Sequence, residues 1–157
     1  MATLTFERTV AVPPDVAWDV LSDQAAFREA APNLSEVELP EGLAVGAPRR
    51  CADTDGQWWD ETCTRYDPGR AYAFAVDTQN SPVHRRMFRS FGGTFEVTPE
   101  ADDDDTARVS MRFDYEPRYG PLGRLLVRLG RGRFERIGET TMENLTAEMH
   151  ERATPTA

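Results

Sequence analysis

The C-terminal stretch from Phe134 to Met149 most constrains the fold. Apolar or small residues recur there at spacings of four, four, three and four, which is one face of a helix: Phe134, Gly138, Met142, Leu145 and Met149. A helix with one apolar face must bury that face, and we expect it to lie on a sheet. Gly138 leaves a gap in this face, at a cost of about 1 kcal/mol relative to Ala. The gap predicts either room for a ligand or close packing against a strand.

The length and composition are those of one domain. The chain has 157 residues, 39% of them hydrophobic, so we expect a single domain over residues 1–157 with a disordered tail at 152–157. The start of the chain has no basic run followed by an apolar stretch, and nowhere do eighteen apolar residues run together. We therefore expect a cytoplasmic protein without stable membrane insertion.

The charge is strongly acidic. All 18 basic residues are arginine, against 27 acidic residues, which gives a net charge of -9 and disfavours nucleic-acid binding. An acidic chain without lysine fits a high-salt cytoplasm, and a coding bias towards arginine gives the same composition.

Alternation of apolar and polar residues predicts strands over most of the remaining chain. The predicted elements are a strand over Thr3–Val12, helices over Pro14–Ser22 and Gln24–Ala31, and about six strands between Ser35 and Glu116, clearest over Ala71–Asp77, Phe91–Thr98 and Ala107–Tyr115. An unbroken helix from Pro121 to Arg152 would be about 48 Å long, which exceeds the expected size of the domain. We therefore expect a break near Gly130 and a main helix over Arg133–Glu151.

We expect no metal site and no cofactor. Cys51 and Cys63 flank Asp55-Gly56, which predicts a two-residue hairpin turn. That turn would place the cysteines on opposite faces of the sheet, where they could not form a disulfide. The acidic run Asp102–Asp105 predicts a solvated loop, with a hard-cation site as the alternative. The sequence has no nucleotide-binding loop, nucleophile elbow or zinc-ligand pattern.

Three stretches carry a family resemblance: Val12–Asp23, Trp59–Pro68, and Tyr115–Pro117 with Gly120–Gly123. They resemble the START-like helix-grip superfamily, also called SRPBCC, and within it the polyketide cyclase/dehydrase-like group. The resemblance implies an α+β fold in which a curved antiparallel sheet of about seven strands wraps around a long C-terminal helix. It also implies two short helices after strand 1 and an internal cavity. The superfamily contains cyclases, dehydratases, hydrolases, lipid carriers and binding proteins, so the fold does not select a function.

The turn lengths predict which side chains face this cavity. With Asp55-Gly56 as a two-residue turn and Asp67–Arg70 as a four-residue loop, one face holds Arg50, Trp59, Glu61, Cys63, Tyr72, Phe74 and Val76. The strand and helix patterns add Phe91, Phe95, Met111, Phe113, Phe134, Gly138 and Met142 as ligand-binding candidates. A slip of one residue in the first turn would exchange the faces.

Glu61 and Arg50 are the candidate catalytic residues. On this register Glu61 is a carboxylate among aromatic rings with Arg50 as its nearest partner. One interpretation is that Glu61 moves a proton in a dry pocket while Arg50 orients it or the substrate. The alternative is a structural charge pair that fixes the strand register.

Two other polar features remain. His84 is predicted in a loop or strand start near the cavity mouth, where it is either a solvated histidine or a proton carrier. Segment 118–136 holds six arginines against one glutamate, a local charge of +5. That segment either attracts an anionic ligand, membrane surface or acidic partner, or pairs with the protein's own acids. Tyr119 and the leucines after it are candidates for a mobile lid.

The sequence therefore favours binding of a hydrophobic small molecule, aromatic, polyketide-like or lipid-like, in an internal cavity. Cyclase- or dehydratase-type chemistry stays open. The alternative function is a non-catalytic interaction module that uses segment 118–136 on an acidic partner or membrane surface. We expect a monomer or homodimer that does not bind nucleic acid.

Overall fold

A computed structural model describes residues 1–154 of the chain. The elements in chain order are β1 (Ala2–Val10), α1 (Pro14–Leu21), α2 (Gln24–Ala30), β2 (Leu34–Glu38), β3 (Pro48–Asp53), β4 (Trp58–Asp67), β5 (Ala71–Val76), β6 (Phe88–Glu100), β7 (Asp103–Pro117) and α3 (Gly120–Ala153). The seven strands form one antiparallel sheet in the order β1-β7-β6-β5-β4-β3-β2. The sheet curls around α3, which confirms the predicted α+β helix-grip fold with two short helices after the first strand.

The first three elements follow from local chemistry. In β1, Phe6 and Val10 point into the core while the residues between them are at least partly exposed. Pro14 occupies the first turn of α1, where its missing N–H breaks no helical hydrogen bond. Asp23 caps α2 by accepting hydrogen bonds from the backbone N–H groups of Ala25 and Ala26.

The acidic run differs from the prediction of a loop. Only Ala101 and Asp102 form the turn between β6 and β7, and Asp102 has a positive φ of 64°. Asp103 already belongs to β7, and residues 102–105 are all exposed. Strand pairing with β6 extends the hairpin into residues whose side chains are solvated.

Helix α3 is continuous over 34 residues, so the predicted break near Gly130 and the main helix over Arg133–Glu151 are wrong. Gly130 and Gly132 lie in open space within the helix, where they weaken helical propensity without interrupting it. The length argument failed because the first half of α3 is not enclosed by the domain. Its leucines are exposed: Leu122, Leu125, Leu126 and Leu129.

The second half of α3 is the buried half, through Gly138, Thr141, Met142, Leu145 and Met149. The start of the helix instead relies on one close approach. A Cβ on Gly123 would overlap the carbonyl of Arg118, with the carbonyl carbon only 2.6 Å away. Glycine at 123 thus lets the first helical turn close onto the end of β7.

Helix α3 extends beyond the residue at which the disordered tail is predicted to begin. The predicted tail at 152–157 begins too early, since Arg152 and Ala153 are helical, and residues 155–157 lie outside the described residues.

Over residues 1–154, no helix is both long enough and apolar enough to cross a bilayer.

Candidate functional site

The β3–β4 hairpin decides which arginine meets Glu61. Its loop has three residues rather than two, because Asp53 pairs with Gln57 and Gly56 takes a positive φ of 78°. Arg49 therefore lies opposite Glu61, and the predicted pairing of Arg50 with Glu61 is wrong. Arg50 lies on the outer face, where it pairs with Asp60 and both side chains are more than half exposed.

Glu61 is buried and fully engaged. Its Oε2 accepts hydrogen bonds from Arg49 Nε at 2.6 Å and lies 2.5 Å from Arg49 Nη2, while its Oε1 accepts from Trp59 Nε1 at 2.9 Å. Arg49 Nη1 donates to Gln24 Oε1 at 2.8 Å, and the guanidinium carbon stands 3.7 Å from the centre of the Phe74 ring. Arg49 and Glu61 are 4% and 8% exposed, so this is an ion pair inside the protein.

The electrostatics fix the charge on Arg49. Burial alone would lower its pKa, but the nearby Glu61 carboxylate and its hydrogen bonds outweigh that effect and raise the pKa of Arg49. The guanidinium thus stays charged, and Glu61 gives both of its oxygens to groups on β3 and β4. This arrangement supports the structural alternative for Glu61, a charge pair that holds two strands in register.

A β-bulge restores the predicted register in the next hairpin. The Cα pairing shifts at Thr64, between Cys63 and Arg65, while the loop holds one residue fewer than predicted. The two differences cancel, so Cys63 lies opposite Phe74 as predicted. Trp59, Glu61 and Cys63 therefore all face the interior.

The three-residue loop between β3 and β4 also changes the face on which Cys51 lies. Cys51 lies opposite Trp59 and shares the inner face with Cys63, which corrects the prediction of opposite faces. Both cysteines are buried and free, as expected, because they lie on β3 and β4 without opposing each other. Burial, reinforced by the charge of Glu61, raises the pKa of the Cys51 thiol to about 12.

His84 is buried rather than solvated, which corrects the interpretation of a solvated loop histidine. Its Nδ1 lies 2.7 Å from Ser81 Oγ, and its backbone N–H donates to the same oxygen at 3.2 Å. Ser81 then donates to Nδ1, which fits a neutral ring protonated on Nε2. The ring packs against Trp59 and Phe91, each with centroids 5.2 Å away, and burial lowers the pKa of His84 to about 4.

An aromatic cavity lies between the ends of β6 and β7 and the middle of α3. Its lining consists of Phe88, Phe91, Phe113, Tyr115, Val127, Arg131 and Phe134. The rings are in mutual contact, with Phe88 and Phe91 5.1 Å apart and Phe88 and Tyr115 5.6 Å apart between centroids. The cavity leaves about 10 Å³ for the centre of a water-sized sphere. That is room for about one water molecule, so any larger ligand requires the walls to move.

Three of the predicted ligand-binding residues line this cavity: Phe91, Phe113 and Phe134. Five others, Tyr72, Phe74, Phe95, Met111 and Met142, are at most 2% exposed and lie in the hydrophobic core. Trp59 and Cys63 are buried on the inner face, and Val76 is half-buried near the end of β5. The ligand-binding role of the whole set stays a prediction.

The gap at Gly138 is occupied by the protein itself. A Cβ at this position would overlap the ring of Phe6, whose Cε1 lies 2.6 Å from it. Phe6 is 3% exposed and also contacts Phe113 edge-on at 6.3 Å. Of the two alternatives for Gly138, the structure supports close packing of a strand.

Sequence reasoning missed four lining residues: Phe88, Tyr115, Val127 and Arg131. Tyr115 ends the alternating run of β7, and this signal was available. Val127 and Arg131 precede Phe134 by seven and three residues, which is the spacing of one helix face. The predicted break near Gly130 separated them from Phe134.

Solved structures share this fold at low sequence identity. An aromatase/cyclase from Streptomyces sp. R1128 superposes with a TM-score of 0.77 at 17% identity, covering 98% of this chain and 96% of that one. Norcoclaurine synthase from Thalictrum flavum, in complex with dopamine and hydroxybenzaldehyde, gives 0.71 at 13% identity, covering 99% and 89%. A protein of Thermus thermophilus gives 0.73 at 16% identity, covering 98% and 100%. These likenesses confirm the fold.

The family is shown by the sequence itself. No protein with a curated description matches the chain. A family model described as polyketide cyclase/dehydrase and lipid transport matches residues 1–150, nearly the whole length, and it agrees with the resemblance to the START-like superfamily. This chain therefore belongs to the polyketide cyclase/dehydrase and lipid transport family.

Proposed function

We propose that this protein binds an apolar, aromatic small molecule in the cavity between β6, β7 and α3. The observation that carries the proposal is the lining, in which five of seven residues are aromatic: Phe88, Phe91, Phe113, Tyr115 and Phe134. Aromatic walls offer offset stacking and edge-to-face contacts to a planar ligand. The family, which includes cyclases and lipid carriers, supports the same class of ligand.

Binding requires the first half of α3 to move outward. The cavity has room for about one water molecule, and Val127, Arg131 and Phe134 form its helical wall. Gly130 and Gly132 sit beside that wall in open space, where each weakens the helix by about 1 kcal/mol relative to alanine. Few side chains in this half are buried, so its displacement removes little apolar surface from the core. We infer that residues 120–132 act as a lid that bends at the two glycines.

The Tyr115 hydroxyl and the Arg131 guanidinium are the polar groups among the seven lining residues. Arg131 is exposed and paired with Glu135 at 2.7 Å, so it can exchange that partner for a phenolate or carboxylate on the ligand. We infer that the preferred ligands carry one acidic oxygen at the end that faces α3.

Catalysis by Glu61 is the second candidate function, and the buried network argues for a structural role instead. A proton carrier needs a free oxygen near the substrate, whereas both oxygens of Glu61 are hydrogen-bonded to Arg49 and Trp59. Arg50, the other predicted catalytic residue, points away from the interior. We therefore propose binding as the primary function and treat cyclase-type chemistry as a property to be measured.

The test is isothermal titration calorimetry of the protein with 2-naphthol and with 1,8-dihydroxyanthraquinone. Val127→Trp places an indole where the ligand would lie, and we expect at least tenfold weaker binding. Leu129→Trp is the matched control, because it adds the same side chain to the same helix at a position 75% exposed. The proposal fails if neither compound binds, or if the two variants bind with the affinity of the unmodified protein.

Native mass spectrometry of the protein from its own source supplies the natural ligand. A stoichiometric aromatic species that is lost in Val127→Trp and kept in Leu129→Trp supports the proposal. Chemistry is then measured on that species. A catalyst would turn it over, and Glu61→Gln, assayed where circular dichroism shows that the variant is folded, would abolish turnover while binding remains. A carrier would bind this species without converting it, both as the unmodified protein and as Glu61→Gln.

A further inference from the structure

The first half of α3 exposes an apolar stripe that no other part of residues 1–154 covers. Leu122, Leu125, Leu126 and Leu129 are 62%, 52%, 55% and 75% exposed. At 100° per residue the four side chains fall within an arc of about 100°, centred about 150° from Val127, which faces the cavity. Exposed leucines in a contiguous row mark an interaction surface rather than scattered surface residues.

Some of the arginines in this segment adjoin or continue the leucine stripe. Arg133 and Arg136 continue it towards the C-terminus, and Arg128 lies about 60° beyond its edge. Arg124 and Arg131 lie about 150° and 170° from its centre, on the cavity side of the helix. Within the described residues, only Arg131 of these five forms an ion pair, with Glu135. The interpretation that this segment pairs with the protein's own surplus acids therefore holds for one residue.

The charge distribution selects the kind of partner. Segment 118–136 carries +5 in a chain of net charge -9, so the rest of the molecule is more acidic than the whole. A second copy of the chain is disfavoured, since it would bring two such basic segments together. A flat anionic surface would attract segment 118–136 and repel the acidic rest of the protein, so the protein would bind that surface in one orientation. Because the Debye length at 0.1 M salt is about 10 Å, the distant acids do not prevent contact.

We propose that the first half of α3 docks on the surface of an anionic lipid bilayer. A row of leucines that Arg128 adjoins and that Arg133 and Arg136 continue is the pattern of a helix that lies in the membrane interface. A flat surface accommodates the full row of four leucines, whereas an acidic protein would need a matching apolar groove. This proposal goes beyond ligand binding and stands on a different face of the helix.

The test is co-sedimentation of the full chain with vesicles of phosphatidylcholine alone and of phosphatidylcholine with 30% phosphatidylglycerol. We expect binding to the anionic vesicles only, lost in 0.5 M salt. Replacing Arg128, Arg133 and Arg136 with Gln should weaken binding on the order of a hundredfold, since each arginine near such a surface contributes roughly fivefold.

The matched control for charge is Gln at Arg85, Arg86 and Arg89, three exposed arginines outside the segment, which should leave binding within about threefold. Replacing Leu126 and Leu129 with Gln tests the apolar part at little cost in helix propensity. We expect that variant to lose binding while its circular dichroism and unfolding temperature stay unchanged.

Three results would overturn the proposal. The first is equal binding of the arginine variant and its control. The second is conversion of a dimer to a monomer by the leucine variant in analytical ultracentrifugation, which would assign the stripe to a self-interface. The third is absence of vesicle binding together with retained, arginine-dependent binding of poly-L-glutamate, which would assign the segment to an acidic protein. Each result is independent of the Val127→Trp titration.

Discussion

Gly138→Ala tests whether Phe6 fills the gap in the C-terminal helix. The new Cβ would lie 2.6 Å from Cε1 of Phe6 and closer to two other ring atoms, so the ring or the helix must shift by about 1 Å. Phe6 is 3% exposed and backed by Phe113, which leaves the ring little room. Overpacking of this kind costs about 3 kcal/mol at its upper range, and alanine returns about 1 kcal/mol of helix propensity. We expect a net loss of about 2 kcal/mol.

The assay is urea unfolding followed by circular dichroism, with the free energy of unfolding taken by linear extrapolation. Gly132→Ala is the control, because its Cβ meets nothing within 4 Å, and it should gain up to about 1 kcal/mol. Adding Phe6→Leu to Gly138→Ala should recover part of the loss through a favourable coupling of at least about 1 kcal/mol. Equal stability of Gly138→Ala and the unmodified protein, or a coupling of zero, would refute the packing.

Other predictions concern the buried polar groups. Glu61→Gln should cost about 3–5 kcal/mol by leaving the charge of Arg49 buried without its partner, whereas Arg50→Gln should cost less than about 1 kcal/mol; urea unfolding distinguishes these. Because the pKa of His84 falls to about 4 on folding, from an ordinary 6.5, its contribution of up to about 3 kcal/mol is present above pH 6.5 and is lost as the pH falls towards 4. His84→Gln should make the free energy of unfolding less dependent on pH between pH 6.5 and pH 4. The same pH dependence in this variant as in the unmodified protein would contradict a lowered pKa for His84. Cys51 should react with Ellman's reagent at pH 8 only as fast as the protein unfolds, and rapid reaction in the native state would show an open site.

The architecture was accessible from sequence because period-two and helical patterns coincide with burial here. The runs that begin at Ala71, Phe91 and Ala107 all became paired strands, and the stripe from Phe134 to Met149 became the buried half of α3. These patterns report which face meets the core, and the core is what the sheet and helix share.

The site depended on finer information. A glycine with positive φ serves a two-residue turn and a three-residue loop equally well, so Asp55-Gly56 left the register of β3 undecided by one residue. That residue exchanges Arg49 for Arg50 and moves Cys51 to the inner face. Likewise Gly130 lowers helix propensity, but the sequence alone does not show whether the helix ends there. In the structure α3 continues through Gly130.

The bulge at Thr64 makes the face assignment of β4 a matter of counting. Thr64 and Arg65 are both exposed, so the alternation of inward and outward residues changes phase there: Trp59, Glu61 and Cys63 point inward before it, and Tyr66 packs against the core after it. The strand thus requires a residue at position 64 but makes little use of its side chain. Substitution at position 64 should therefore cost little stability, whereas deletion of the residue should disrupt the pairing of β4 with β5.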